Sequence, residues 1–422
     1  MTDRPLRVDG DRLRADLERN AEFGATDPEE GRGRTVLPGD EANRQARESL
    51  VERLEDAGLT VAVDAVGNVT GTWEPEGCDP DAAPVAVGSH LDSVPNGGIF
   101  DGPLGVYAGL EAVRAMQDAG VVPERPVQVV CFTGEEGTRF ADGVLGSSVA
   151  IGELDPADAL ALSDGEVTLR EALTDIGFHG EGRLDASDWH AWLELHVEQG
   201  ERLEELGVPA GVVTAITGTT RLRGSIEGEA AHSGTTAMDD RTDALAAASE
   251  FVLAMEEAGR TAAADTDGTA VATVGELDVE PGVVNVVPGR VEFSADIRDV
   301  DQRIIDRLVD RAEDALAALE AERGVETTLE RPYDVSPVDM APNCQQALHD
   351  AGNALGVETV ALHSGAGHDT MQVARVTDAG LCFAPSRDGH SHNPLEWTDW
   401  DDCATATEVV ATALLDLAST DT

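Results

Sequence analysis

Residues 88–101 read GSHLDSVPNGGIFD and follow the apolar run PVAV at 84–87. A short apolar run bounded by turn residues is typical of a buried strand, and His90 and Asp92 stand where that strand would end. In α/β folds, ligands bind beyond the carboxyl ends of the strands. A loop rich in glycine and proline then leads to Asp101. One imidazole and two carboxylates so placed predict half of a divalent-metal site, although an ordinary hydrogen-bonded histidine–aspartate pair is the alternative.

Two further predicted strands carry charged residues near their ends. The run VQVVCF at 127–132 leads into GEEG at 134–137. This is either a solvated acidic turn or a pair of carboxylates in which one binds metal and the other holds a proton. The stretch AWLELHVEQ at 191–199 alternates apolar and polar residues, which predicts a half-buried strand with His196 beside two glutamates. A structural histidine hydrogen-bonded to an acid is the alternative there.

The order of the predicted elements indicates two domains. Strands and helices alternate in the outer segments, which predicts an α/β fold with a doubly wound, mainly parallel sheet. After Gly218 the pattern becomes strand–helix–strand–strand–helix–strand, the order of a ferredoxin-like α+β domain. We therefore expect a discontinuous catalytic domain at 1–217 and 331–422, with an inserted domain at 218–330.

The composition is strongly acidic. The 422 residues carry a formal net charge of −53, with 82 acidic residues along the whole chain and no lysine. A hydrophobic content of 41% argues against intrinsic disorder. A dispersed acidic surface keeps a protein hydrated at multimolar salt, so we expect a protein of the cytoplasm of an extreme halophile. The same charge argues against nucleic acid and anionic membranes as partners. The five scattered cysteines form no CxxC motif, and we find neither a signal peptide nor a membrane-spanning apolar run.

Several histidine and carboxylate side chains fall at, within or just after predicted strands. They are His90, Asp101, Glu135, Glu136, His196 and His392. In a doubly wound sheet such positions can converge on one edge. Histidine and carboxylate without cysteine are ligands of hydrolytic zinc, manganese or cobalt rather than of structural zinc. Three histidines and two carboxylates suffice for two metals when one aspartate bridges them, so the residues predict a dinuclear metallohydrolase.

Blocks of sequence along nearly the whole chain resemble the amidase, hydantoinase/carbamoylase family, which belongs to the superfamily of dinuclear zinc aminoacylases and peptidases. In order, the blocks are GSHLDSVPNGGIFDGPLGV, GEEGTRF, ELHVEQG, HSGTTAM, NVVPGRVEFSADIRD, SGAGHDTM and DGHSHNPLE. The family includes N-carbamoyl-L-amino-acid hydrolases, β-ureidopropionases and allantoate amidohydrolases.

The resemblance implies a metal-ligand set. His90, Asp101 and His196 would hold one metal, and Asp101 would bridge to a second metal held by Glu136 and His392. The cofactors implied are two divalent ions per subunit, Zn²⁺ or Mn²⁺, with Co²⁺ possible.

The resemblance also implies catalytic and substrate-binding residues. Glu135 would be the general base and then the acid, and Asp92 would orient the His90 imidazole. His232, which the pattern GEAAHSGTT places in a turn as a buried residue, would stabilise the oxyanion in the partner subunit's site. The residues implied in substrate binding are Gln199, His232, Asn285, Arg298, Gly365 and Ala366. The guanidinium of Arg298 and the amide of Asn285 would take the substrate carboxylate.

Three positions need a separate interpretation. Ala237 stands where the family commonly has proline, which would alter only a loop. His390 stands where an apolar residue is expected, and we interpret it as a surface residue, with tuning of His392 as the alternative. His368 could be a sixth ligand, but we favour a structural role near the site.

The predicted activity is hydrolysis of the linear C–N bond of N-carbamoyl-L-amino acids to amino acid, ammonia and carbon dioxide. Allantoate amidohydrolase or β-ureidopropionase is the nearest alternative. A dipeptidase or aminoacylase is disfavoured by HVEQG, and a non-catalytic binding protein by the presence of every ligand and of Glu135. The inserted domain would close as a lid over a small ureido or carbamoyl acid. It would also form a homodimer, because His232 is expected to act across it.

Overall fold

The computed structural model describes residues 5–266 and 268–419. The chain divides into two compact units, one of Met1–Thr214 with Met340–Thr422 and the other of Ala215–Asp339. The strands are β1 (Thr60–Val63), β2 (Val69–Trp73), β3 (Val85–His90), β4 (Val127–Phe132), β5 (Ala191–Val197), β6 (Ala210–Ile216), β7 (Gly218–Glu227), β8 (Ala231–His232), β9 (Val271–Glu280), β10 (Val286–Val287), β11 (Arg290–Asp299), β12 (Glu326–Val335), β13 (Val338–Asp339), β14 (Thr359–Ser364) and β15 (Ala379–Ala384).

The helices lie between these strands. They are α1 (Gly10–Asn20), α2 (Glu41–Asp56), α3 (Pro103–Ala119), α4 (Leu145–Ala150), α5 (Pro156–Ala161), α6 (Leu169–Asp175), α7 (Arg202–Leu206), α8 (Ala244–Asp265), α9 (Gln302–Arg323), α10 (Pro342–Leu355), α11 (Asp369–Val373) and α12 (Trp400–Leu417). None of the helices that the structure describes is long and apolar enough to cross a bilayer.

The large sheet is parallel at its centre and antiparallel at its sides. Its order is β1-β2-β4-β3-β5-β15-β6-β13, with β14 beside β6. The pairs β4–β3, β3–β5 and β5–β15 are parallel, whereas β1–β2, β2–β4 and β15–β6 are antiparallel. The expected mixed α/β architecture with a largely parallel sheet is therefore present, and the carboxyl ends of four central strands share one edge.

Apolar residues cover the central strands on both faces. Val85 and Val87 of β3 belong to the larger core, together with apolar residues of α3 and α12. Ala86 between them belongs to a second core with Trp189 and Trp192. Because both faces are covered, the strands carry apolar side chains in either direction, as buried parallel strands do.

The expected half-buried character of β5 is wrong, because every residue of the strand is buried. Glu194 is 1% exposed and His196 is 2% exposed. Glu194 accepts hydrogen bonds from the Ser89 hydroxyl at 2.6 Å and from the Thr370 amide at 3.1 Å. The alternation in sequence thus separates an apolar core from a buried polar cluster, not from solvent.

The second unit contains an antiparallel sheet in the order β12-β7-β11-β9. Helices α8 and α9 supply apolar residues to one core with this sheet, including Phe251 against Phe293 at a ring-centroid distance of 4.5 Å. Strand β12 continues to Val335, beyond residue 330, where we expected the inserted domain to end. The register shifts between Glu330 and Tyr333, where Pro332 has no N–H to donate, so the break in the pattern is a local irregularity within the strand.

Candidate metal centre

Asp101 is the centre of the candidate site. It lies on the loop between β3 and α3, and its side chain is 4% exposed. Its Oδ1 is 3.6 Å from Nε2 of His90 and 3.3 Å from Nε2 of His196. Its Oδ2 is 3.6 Å from Nε2 of His392. Three imidazoles from three separate segments therefore converge on one carboxylate.

The backbone around Asp101 is fixed from both sides. Gly102 has φ of +82°, and a Cβ there would lie 2.5 Å from Cε1 of His90, so only glycine fits. The carboxylate of Glu396 accepts the N–H groups of Phe100 at 2.9 Å and Asp101 at 3.0 Å. The loop therefore holds the Asp101 side chain at the carboxyl edge of the sheet.

The two glutamates after β4 point in different directions. Glu136 reaches His392, with 3.1 Å between Oε2 and Nε2, and its other oxygen accepts the Val94 N–H at 3.3 Å. Glu135 instead lies beside His90, with 3.7 Å between Oε2 and Nε2. The divergence gives the adjacent carboxylates separate neighbours, as one ligand and one proton carrier require.

Asp92 connects the two strand ends. Its carboxylate accepts N–H groups from Gly134 at 3.1 Å, Glu135 at 3.4 Å and Glu136 at 3.2 Å. Nδ1 of His90 is 3.1 Å from the Asp92 backbone oxygen and 3.7 Å from its carboxylate. The nearer partner of the imidazole is thus the backbone of Asp92, while the carboxylate holds the turn that bears both glutamates.

Burial and mutual charge perturb the pKa values of the cluster. Burial alone would lower the pKa of His196, but the Asp101 carboxylate outweighs it and raises that pKa to about 10. The hydrogen bond that His392 donates to the Glu136 carboxylate raises the pKa of His392 to about 9. Burial would raise the pKa of Asp101, yet the surrounding imidazoles hold it well below its usual range. Burial, with the charge of Glu136 next, raises the pKa of Glu135 well above its usual range.

Two groups of side chains could each hold a metal ion. His90, Asp101 and His196 form one group and Asp101, Glu136 and His392 the other, with ligand atoms in each within 4.8 Å of one another. Nε2 of His90 is buried and has no hydrogen-bond partner. An orphaned imidazole nitrogen aimed at carboxylates fits a divalent cation, and the nitrogen–oxygen donor set suits zinc or manganese.

In a third such group, Glu194 with His196 and His368, the side chains have hydrogen-bond partners among neighbouring residues. Nε2 of His368 is 3.0 Å from the Ser364 hydroxyl, and its ring packs edge-on against His196 at 4.5 Å between centroids. Burial lowers the pKa of His368 well below its usual range. These contacts favour the structural role for His368.

Gln199 and His392 both have backbones in the left-handed region, with φ of +60° and +55°. Such conformations cost energy for residues other than glycine and concentrate at functional sites. The Gln199 amide nitrogen donates to Asp101 at 3.0 Å and to the Ser391 hydroxyl at 2.9 Å. Oε1 of Gln199 is buried without a partner and could accept a hydrogen bond from a ligand.

The structure brings two of the expected substrate residues together in the second unit. His232 lies on β8 opposite Val286 of β10, and the Asn285 carbonyl accepts the Ser233 N–H at 3.1 Å. The expectation that His232 is buried is wrong, because it is exposed. It projects from a two-residue strand of a separate two-stranded ladder rather than from the four-stranded sheet, and Asn285 is exposed as well.

The other expected substrate residues lie on other elements of the chain. Arg298 is on β11, where its guanidinium pairs with Asp296 at 2.8 Å. Gly365 and Ala366 follow β14, and the Ala366 N–H donates to the Ser364 hydroxyl at 3.2 Å. His390 is partly exposed, as a surface residue would be.

Glu396 and Ser391 are site residues that the sequence analysis missed. Glu396 is 1% exposed, and burial together with the Asp101 charge raises its pKa to about 8. The Ser391 hydroxyl donates to Asp101 at 2.8 Å. The available signal was their position in DGHSHNPLE on either side of His392.

The fold and the side chains at the sheet edge indicate the class of protein, and a family match agrees with it. A sheet whose central parallel strands present histidine–carboxylate groups at their carboxyl edge is the arrangement of a metal-dependent hydrolase. The family model "Peptidase family M20/M25/M40" matches residues 86–416, and the chain belongs to this family.

Relatives that match most of the chain indicate which type of hydrolase this is. The chain is 41% identical over 408 residues to an N-carbamoyl-L-amino acid amidohydrolase of Geobacillus stearothermophilus, covering 96% of this chain and 97% of that protein. It is 33% identical to allantoate deiminase 1 of Glycine max, covering 84% and 79%. The solved structure of a hydantoinase/carbamoylase family amidase from Burkholderia multivorans matches with a TM-score of 0.92 and 36% identity, covering 99% and 100%. The chain is therefore a hydrolase of the amidohydrolase type that acts on C–N bonds other than peptide bonds.

Proposed function

We propose that this protein hydrolyses the linear C–N bond of N-carbamoyl-L-amino acids, releasing amino acid, ammonia and carbon dioxide. One observation carries the proposal: Asp101 belongs to both histidine–carboxylate groups, and Glu135 lies beside His90. The activity named for the Geobacillus relative supports the choice of substrate class.

The proposed metal ligands are His90, Asp101, Glu136, His196 and His392. Two divalent ions held there, Zn²⁺ or Mn²⁺ with Co²⁺ as a further candidate, would supply a water of lowered pKa and a polarised carbonyl oxygen. Asp101 is the group that both ions would share, because each of its oxygens faces a different set of imidazoles.

Glu135 is the proposed proton carrier. It would accept the proton of the attacking water and deliver it to the leaving nitrogen. A carboxyl whose pKa is raised by burial holds a proton near neutral pH more readily than an exposed one, which suits this shuttle. Asp92 would contribute by holding the turn that places Glu135 and Glu136.

The remaining residues would recognise the substrate. Gln199 offers an unpartnered amide oxygen to the ureido N–H groups. Arg298 and Asn285 would bind the substrate carboxylate. The guanidinium of Arg298 pairs with the carboxylate of Asp296 in this structure, and its planar set of donors suits a substrate carboxylate equally well. Gly365 and Ala366 would supply backbone groups. His232 would stabilise the oxyanion, reaching the site of a second copy of the chain when the unit closes.

A homodimer through the second unit is part of the proposal. Strand β9 is an edge of its sheet, and it exposes Val271 by 46% and Leu277 by 41%, while Leu253 on α8 is 62% exposed. An exposed apolar edge strand is a template for pairing with another chain. Sedimentation velocity should give a dimer that the double substitution V271E/L277E converts to a monomer. A monomeric unsubstituted protein would contradict the proposal.

The substrate is tested by ammonia release in multimolar KCl with added Mn²⁺. The panel contains N-carbamoyl-L-amino acids, N-carbamoyl-β-alanine and allantoate, and we expect release from the first group. Release from allantoate alone would favour the alternative that the Glycine max relative supports. Release from N-carbamoyl-β-alanine alone would indicate a β-ureidopropionase. If the protein binds two metals but releases ammonia from none of these compounds, the proposed substrate class is contradicted. The proposed metal site would not be contradicted by that result.

A further inference from the structure

Two arginines are buried behind the candidate metal centre. Arg34 is 0% exposed and Arg47 is 1% exposed. Both precede residues 86–416, the part of the chain that matches the family model. Among the residues that the structure describes, neither guanidinium forms an ion pair with a carboxylate; their hydrogen bonds go to carbonyl, amide and hydroxyl oxygens. Burying a charge without a paired partner is costly, so each position requires a reason.

Arg34 supports the loop after β3. Its Nη2 donates to the carbonyl of Leu91, the residue between His90 and Asp92. Its backbone N–H donates to Gly97 at 3.0 Å, so main chain and side chain both hold the same loop. Nε and Nη1 are buried without hydrogen-bond partners.

Arg47 supports the loop after β4 in the same way. Its Nη2 donates to the Thr133 hydroxyl at 2.9 Å, immediately before the GEEG turn that carries both glutamates. Its Nε donates to Asn43 at 2.9 Å, and its Nη1 donates to the Gly67 carbonyl. The guanidinium thus connects α2, the β1–β2 turn and the end of β4.

We propose that Arg34 and Arg47 are positioning residues for the metal centre, each holding one strand-end loop, and that the charge of Arg34 also offsets the repulsion among carboxylates of the site. The carboxylates concerned are Asp92, Glu136 and Glu396. The inference rests on the proposed function, since it concerns the same metal site.

The charges near Arg34 agree with this role. Burial lowers its pKa, and the carboxylates of Asp92, Glu136 and Glu396 act in the opposite sense. These carboxylates act from beyond hydrogen-bonding distance through a buried region, where charges interact more strongly than in water. Salt screens exposed charges more than buried ones, so the buried charge of Arg34 would continue to act at multimolar KCl.

The test uses the full chain stripped of metal and titrated with Mn²⁺ by calorimetry in multimolar KCl. The variants are R34M and R47M, which keep an apolar stem and remove the charge and the donors. We expect each to bind Mn²⁺ about 10- to 100-fold more weakly, the usual cost of losing a group that supports a metal ligand.

R114M is the matched control. Arg114 is also mostly buried, at 13% side-chain exposure, but it pairs with Asp16 at 2.6 Å. R114M should lower the unfolding temperature and leave the Mn²⁺ affinity unchanged. Folded R34M and R47M with the affinity of the unsubstituted protein would overturn the inference.

Should the methionine variants fail to fold, R34K and R47K decide with the same titration. Lysine keeps the charge but not the guanidinium fork, so we expect a measurable affinity loss at or below the lower end of the range of about 10- to 100-fold expected for the methionine variants. Unchanged affinity in folded lysine variants overturns the inference. Failure of the unsubstituted protein to bind Mn²⁺ would instead refute the proposed metal site itself.

Discussion

At the scale of single residues, the candidate site is organised around Asp101, because several side chains contact its carboxylate. Each of its oxygens faces an imidazole, and Oδ2 also accepts hydrogen bonds from Gln199 and Ser391. Protonation of His196 and His392 offsets the negative charge of the Asp101 and Glu136 carboxylates. The raised pKa values of His196 and His392 express this effect.

The raised histidine pKa values predict a pH dependence for the metal-free protein. A group whose pKa is higher in the folded state than in the unfolded state stabilises fully below the unfolded value, near 6.5 for histidine, and loses this effect as the pH rises through the folded value. The unfolding temperature should therefore fall between neutral pH and the His196 value of about 10. The measurement is thermal unfolding in chelator at fixed KCl concentration.

The metal-loaded protein is the control for that experiment. Metal-bound imidazoles are neutral, so the loaded protein should lack this part of the pH dependence. A metal-free protein whose unfolding temperature stays level over the same range would contradict the assignment of protonated histidines.

At the scale of elements, the site depends on loops at the ends of neighbouring strands. Asp92, after β3, accepts three N–H groups of the turn after β4. The substitution D92N replaces one of the accepting oxygens by an amide nitrogen. An amide nitrogen cannot accept a hydrogen bond from these N–H groups. We expect kcat/KM to fall about 10- to 100-fold, in line with the loss of other groups that orient metal ligands.

D64N is the matched control for D92N. Asp64 is also buried and accepts N–H groups from Val66 and Asn68, but it does so in the turn between β1 and β2. Its substitution should lower stability while the activity per folded molecule is retained. Equal kcat/KM losses in both variants would show that the effect of D92N is not specific to the site.

The elements also show what the sequence could predict and what it could not. The bounds of β4 follow from the local apolar run VQVVCF at 127–132, which ends shortly before Gly134. The burial of β5 does not, because the partners of Glu194 and His196 lie far away in the chain. Glu396 was missed for the same reason: it bonds to the Phe100 amide across 296 positions of sequence.

At the scale of the whole molecule, the dominant property is charge. A net charge of −53 without lysine repels itself strongly at low ionic strength. At about 1 M salt the Debye length is only about 3 Å, so simple screening is nearly complete there. If the acidic surface is an adaptation to high salt, the unfolding temperature should keep rising between about 1 M and 3 M KCl, beyond the range of screening.

Thermal unfolding across a KCl series makes that comparison, and sorbitol at matched water activity serves as the control. An unfolding temperature that stops rising once charges are screened would contradict an adaptation to high salt. The effect of salt would then be only the screening of repulsion between acidic residues.

Glu135 is the proposed proton carrier, and other residues are proposed to hold the metal ions. E135Q keeps the size of the side chain and removes the base, and E201Q, at an exposed glutamate before α7, is the control. The measurement is ammonia release from an N-carbamoyl-L-amino acid together with the bound metal per chain. We expect E135Q to bind as much metal as the unsubstituted protein while kcat falls about 100- to 10,000-fold. Activity retained in E135Q would contradict the role of Glu135 as the proton carrier.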